Sequence, residues 1–134
     1  MKTKITTCLL AILLMVAGCG AGAGDDLGGT EFYQPPLYGA IAVNQVLGGA
    51  AIVANHDSQR SANDAVLQKC GAGCTRVLEF GSNKCGALAR AANTATFGWA
   101  SNSSAHDAKV TAIQQCAVNK GVGCQVVLDA CNDA

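Results

Sequence analysis

The chain has 134 residues, about one domain's worth, and half of them are apolar, but it holds only one Trp, two Tyr and three Phe. Nine basic and nine acidic side chains cancel. That balance removes the electrostatic footprint of a nucleic-acid binder, and the apolar content excludes a disordered chain. Eight cysteines are many for a cytosolic protein and ordinary for an exported one.

Lys2 and Lys4 make a short positive start, followed by an apolar run that is densest over residues 9–16 (LLAILLMV). A membrane-spanning helix takes about 20 strongly apolar residues. This run is much shorter and gives way to AGCGAGAG, which is the anatomy of a secretory signal peptide. Val16-Ala17-Gly18-Cys19 resembles the lipobox of bacterial lipoproteins. The resemblance implies a signal over residues 1–18 and Cys19 as the lipidated N-terminus. The competing site is Ala21-Gly22-Ala23, where ordinary signal peptidase cleavage after Ala23 would release a soluble secreted protein. Acyl chains add ~0.8 kcal/mol per buried methylene, so a lipidated Cys19 would hold the domain at a membrane. Cleavage before Cys19 also removes Lys2 and Lys4 and leaves a small acidic excess. The lipid, not the domain surface, would then make the membrane contact. Residues 19–36, glycine-rich and ending in Pro35-Pro36, read as a flexible Gly/Pro tether. The folded part is expected over 37–134.

That part reads as a duplication. Residues 38–43 (YGAIAV) and 49–54 (GAAIVA) have strand character, and 61–70 (SANDAVLQKC) has helix character. A glycine turn and a strand from Cys74 to Phe80 follow. The order then repeats: a weak strand over 86–92, a second over 96–100, a helix over 104–116, a turn and a strand over 124–129. Aligning Cys70 with Cys116 brings Ala62 onto Ala108, Leu67 onto Ile113 and Gln68 onto Gln114. Beyond the turn, Val77 meets Val127, Leu78 meets Leu128 and Glu79 meets Asp129, so the length difference sits in the turn. Ala62, Ala65, Val66 and Cys70 fall on one helical face, as do Ala105, Ala108, Ala112 and Cys116. Ser61…Asp64 and Ser104…Asp107 each have the Ser-x-x-acid pattern of a helix start. The expected fold is α+β: two β-β-α-β repeats sharing one antiparallel or mixed sheet, with both helices on one face and disulfide staples.

Cys70, Cys74, Cys85, Cys116, Cys124 and Cys131 remain in the folded part, and the repeat predicts three per copy. Six cysteines permit 15 pairings. Bridges that respect a twofold relation between the copies cut these by about half. Within that set the short glycine turns favour Cys70–Cys74 and Cys116–Cys124, each pinning a helix end to the next strand. Cys85–Cys131 is left to staple one copy to the other. A redox role for Cys70-Gly71-Ala72-Gly73-Cys74 would depart from the usual C-x-x-C, and an oxidising compartment disfavours a thiolate zinc site. No cofactor or metal is expected.

Other candidate chemistry is thin. His56-Asp57-Ser58 and His106-Asp107 bring triad residue types together, but triad members ordinarily come from separate segments, and these stretches lie at helix starts where polar caps belong. Glu79 and Asp129 end equivalent strands, where they could form a carboxylate pair or face solvent. Trp99, Phe97 and Tyr38 could floor a ligand site or fill the core.

Tyr38-Gly39-Ala40-Ile41-Ala42, an Ala-rich helix ending in cysteine, Phe97-Gly98-Trp99-Ala100 and Cys124-x-Val-Val-Leu together resemble an exported bacterial family known as domain of unknown function 4189. The resemblance covers roughly residues 37–134 and brings no activity with it. The functional expectation is a non-enzymatic, lipid-anchored envelope module that binds another protein, as an inhibitor or immunity-type lipoprotein does. The alternative is a secreted hydrolase or small-ligand-binding domain with its site between the repeats.

Overall fold

The computed structural model describes residues 32–93 and 95–133. The predicted signal, Cys19 and the tether up to residue 31 lie outside the described residues. No helix among the described residues is long and apolar enough to cross a membrane.

The element order is β1 (Tyr38–Val43), β2 (Ala50–His56), α1 (Gln59–Cys70), β3 (Thr75–Phe80), β4 (Cys85–Arg90), β5 (Phe97–Asn102), α2 (Ala105–Val118) and β6 (Gln125–Cys131). This is β-β-α-β twice. The correspondence extends to one irregularity, although the β1–β2 ladder has a further register shift between Tyr38 and Ala40 that β4–β5 lacks. In the first unit the β1–β3 register slips between Ile41 and Ala42, and in the second the β4–β6 register slips between Leu88 and Ala89. The residues skipped on the partner strands are Val77 and Val127, which the sequence alignment already pairs. Each unit therefore carries a bulge, one extra residue on its outer strand, at the same place.

The expectation of one shared sheet is corrected. There are two antiparallel three-stranded sheets, ordered β2-β1-β3 and β5-β4-β6. The cause is visible in the central strands. Along β1, Ala40 and Ala42 pack under α1 with Ala51, Ala62 and Val66. Ile41 and Val43 point the other way and pack with Ile52, Phe80, Leu88 and Phe97. In β4, Ala87 and Ala89 pack under α2 with Ala108, Ala112 and Cys116, while Leu88 joins the opposite cluster. A single sheet with helices on one side would leave Ile41, Val43, Ile52 and Leu88 facing water. Instead the sheets stack on these side chains, and the layer order is α1, sheet, sheet, α2.

The small residues on the outer faces let the helices come close. A Cβ built on Gly98 would lie 2.1 Å from the Cys116 backbone nitrogen and 2.2 Å from the Ala112 carbonyl oxygen. Only glycine permits α2 to rest on β5 at this distance.

The helix starts differ from each other. Ser104 caps α2 as its sequence pattern predicts, its hydroxyl accepting the Asp107 backbone N–H at 3.3 Å. For α1 the expectation is corrected: the helix begins two residues before Ser61, and the cap is Ser58, whose hydroxyl accepts the Ser61 N–H at 3.1 Å. Ser61 instead turns its own hydroxyl to His56 Nδ1, 2.9 Å away.

Among the described residues the disulfides are Cys70–Cys74, Cys116–Cys124 and Cys85–Cys131. Three bridges are the mark of a domain that folds in an oxidising, extracytoplasmic compartment. The first two close the turn after each helix. The third does not join the copies. Cys85 opens β4 and faces Cys131 of β6 across the ladder, so both belong to the second unit. The first unit thus has one bridge and the second has two. The equal division expected from sequence fails because Cys85 lies just past the boundary between the copies.

What ties the units besides the apolar layer is Asn132, which is 4% exposed. Its side-chain nitrogen donates to the carbonyls of Phe80 at 3.0 Å and Gly81 at 2.8 Å, and its side-chain oxygen accepts the Asn55 N–H at 2.7 Å. Asn55 answers through its own side chain, accepting the Asp133 N–H and donating to the Asp133 carboxylate. A buried amide with all its groups used is a specific joint rather than a cost.

Candidate functional site

Of the side chains flagged by sequence as catalytic candidates, Glu79, Asp129, Ser58 and His56 are engaged in holding the scaffold. Glu79 pairs with Arg76 and accepts a hydrogen bond from Asn63 Nδ2 at 2.9 Å. Asp129 pairs with Lys109 at 3.0 Å. Asn63 and Lys109 are equivalent positions on the two helices, so each unit ties its helix to its last strand by the same contact. These ties are well exposed, where ion pairs contribute little. His106 stands exposed in the first turn of α2. Of the His56-Asp57-Ser58 stretch, Ser58 is used as a cap and His56 is directed at Ser61. Tyr38 packs on the α1 side of the first sheet, away from the layer that holds Phe97 and Trp99. The aromatic floor imagined for all three residues is therefore reduced to two.

Those two line a cleft of ≈ 540 Å³ where the units meet. Gln45, in the β1–β2 turn, forms its first-unit wall. Thr96, Phe97 and Trp99 of the second unit line it from β5 and the loop before it, and Gln115 and Asn119 from the end of α2. Phe97 is buried in the layer between the sheets, and Trp99 is half-buried beside it. Asn119 Nδ2 donates to the Phe97 carbonyl at 2.8 Å, tying the end of α2 to β5. The Cys116–Cys124 bridge and the close seat on Gly98 hold the same helix end. The walls are consequently fixed before anything binds. Arg90, whose guanidinium carbon lies 5.8 Å from the centre of the Phe97 ring, is outside the lining.

Next to Gln45, the β1–β2 turn carries Val46 and Leu47, 87% and 81% exposed. The turn is built on Asn44. Its side-chain oxygen accepts the N–H groups of Val46 at 3.0 Å and Leu47 at 2.9 Å. Its side-chain nitrogen donates to the Ala72 carbonyl at 3.3 Å, and its backbone bonds to Gly48 and Gly49. One buried asparagine therefore orients two apolar side chains into water. Sequence reasoning passed over this turn, although an aliphatic pair between Asn44-Gln45 and Gly48-Gly49 is an unusual turn composition. It also passed over Gln115 and Asn119, which no motif distinguishes.

Residues 38–131 match the family model described as Domain of unknown function (DUF4189), and the chain belongs to that family. No curated protein and no solved structure matches it.

Proposed function

We propose that this DUF4189 member is a non-enzymatic binding module of the cell envelope that engages another protein through its β1–β2 turn, as an inhibitor or immunity-type module. The processed chain would be held to a membrane by lipid on Cys19 and displayed on the tether of residues 19–36. Cleavage after Ala23 would release the same module in soluble form.

The observation that carries the reading is the turn. Val46 and Leu47 stand in water on a loop pinned by Asn44. Covering such side chains returns roughly 25 cal/mol per Å² of apolar surface. Because the loop is already ordered, little of that gain is lost in fixing it. The partner this fits is an envelope protein with an apolar recess that receives the two side chains. The involvement of Glu79, Asp129 and Ser58 in helix attachment supports a binding role over a hydrolytic one.

A photo-crosslinking amino acid at position 46 of the exported protein tests this. The expected result is one dominant envelope-protein adduct, lost when Leu47 is changed to Asp. A probe at Lys84, at the opposite end of β4, should not give it. No adduct from position 46, or the same adduct from position 84, would reject the assignment.

A further inference from the structure

We propose that the cleft lined by Gln45, Thr96, Phe97, Trp99, Gln115 and Asn119 is a binding site for a neutral oligosaccharide. Its volume, ≈ 540 Å³, lies within the range of about 300–1,000 Å³ typical of small-molecule sites. The chemistry of the lining selects the class. Four of its polar side chains are three carboxamides and a hydroxyl, groups that both donate and accept. A sugar hydroxyl does the same, so the exposed carboxamides of Gln45 and Gln115 and the side-chain oxygen of Asn119 can be matched without placing a charge. None of these six side chains is ionisable, so among the described residues the lining offers no counter-ion to an anionic or cationic ligand. Trp99, half-buried, adds apolar surface beside these polar groups, while the buried Phe97 backs the cleft from the core. That combination suits a ring with C–H groups on its faces and hydroxyls at its rim. The helix end that supplies Gln115 and Asn119 is fixed to β5 by the Asn119–Phe97 bond and by the Cys116–Cys124 bridge. Preformed walls matter here because each protein–sugar hydrogen bond only replaces one with water, leaving a small net gain. The site is separate from the protein-binding role given to Val46 and Leu47, and either can fail without the other.

Trp99 is the only tryptophan of the chain, so fluorescence excited at the red edge of absorption, where tyrosine is silent, reports on this side chain. The exported, oxidised protein is titrated with cellotetraose, maltotetraose and the tetramer of N-acetylglucosamine, and with polygalacturonate as the anionic comparison. The expected result is a saturable change in Trp99 emission with at least one neutral tetrasaccharide, insensitive to salt. Gln115→Ala, on an exposed helical position that alanine suits, should weaken it at least tenfold. Gln114→Ala, one residue away and outside the lining, should not change it. Calorimetry with Trp99→Phe should show the same weakening where emission can no longer be read. A parallel pull-down on insoluble N-acetylglucosamine polymer distinguishes a structural glycan from a free oligosaccharide as the source. Failure of all three neutral sugars to produce a saturable change, or a response confined to polygalacturonate, overturns the proposal. So does equal weakening by Gln114→Ala and Gln115→Ala.

Discussion

Gly39 and Gly86 occupy the same position in the two central strands, and the ring of Phe80 fills the space that both leave. A Cβ on Gly39 would come within 2.2 Å of the ring, and one on Gly86 within 2.6 Å. Phe80 pairs with Gly39 in its own ladder and reaches Gly86 across the boundary between the sheets. It is 3% exposed. One side chain thus sits at the junction of the two units, in a socket made by two absences.

This socket gives a coupled pair of substitutions. Gly86→Ala should destabilise the domain by about 1–3 kcal/mol through overpacking against the ring. Phe80→Leu alone should also destabilise, by leaving a gap. The double variant should cost less than the sum of the two, with an interaction energy of roughly 1 kcal/mol or more. Denaturant melts of the four proteins check it. Strict additivity would mean the ring moves aside freely.

Gly98 makes a harsher prediction. Here the clash is with backbone atoms of α2, which cannot rotate away. Gly98→Ala should therefore cost more than Gly86→Ala, on the order of 3 kcal/mol. The midpoint of thermal unfolding measures it. It should also disturb the cleft wall carried by Gln115 and Asn119.

The bridges should contribute unequally. Cys85–Cys131 spans 46 residues of sequence and Cys70–Cys74 only 4. Loop-closure entropy then assigns about 4 kcal/mol to the first and about 2 kcal/mol to the second. Paired Cys→Ala variants, melted without reductant, should rank in that order.

Replacing Asn132 probes the polar joint. Asn132→Ala removes the partners of the Phe80 and Gly81 carbonyls and of the Asn55 N–H together. Leaving such groups unsatisfied should cost about 1–3 kcal/mol. Asn132→Asp should be worse at neutral pH, since it sets a carboxylate against two carbonyl oxygens. Hydrogen exchange at Asn55 should rise more in the Ala variant, which removes the acceptor of its N–H, than in the Asp variant, which keeps one.

Much of the fold was legible in the sequence because the copies carry the same local signals. Ala62 and Ala108, Val77 and Val127, and Ser104 with Asp107 all mark elements at their observed places. The sheet arrangement was misjudged although its sign was present. Ile41, Val43 and Leu88 alternate with alanines along strands that have no polar face, and an antiparallel strand apolar on both sides needs cover on both. The site was less legible. Trp99 and Phe97 stood out as rare aromatics, but Gln45, Gln115 and Asn119 come together only through packing of three separate elements, which leaves no local pattern. The boundary near Cys85 was hidden too, since nothing in Lys84-Cys85-Gly86 says which copy owns the cysteine.

In the second unit the residue equivalent to Phe80 is Ala130, which pairs with Gly86 as Phe80 pairs with Gly39. A unit standing alone would leave Ile41, Val43 and Ile52 uncovered, and two identical units stacked on one another would carry the same residue at both positions, either two rings or two methyls. Two units in one chain are free of that constraint, and here the large side chain stands on one and the small one on the other.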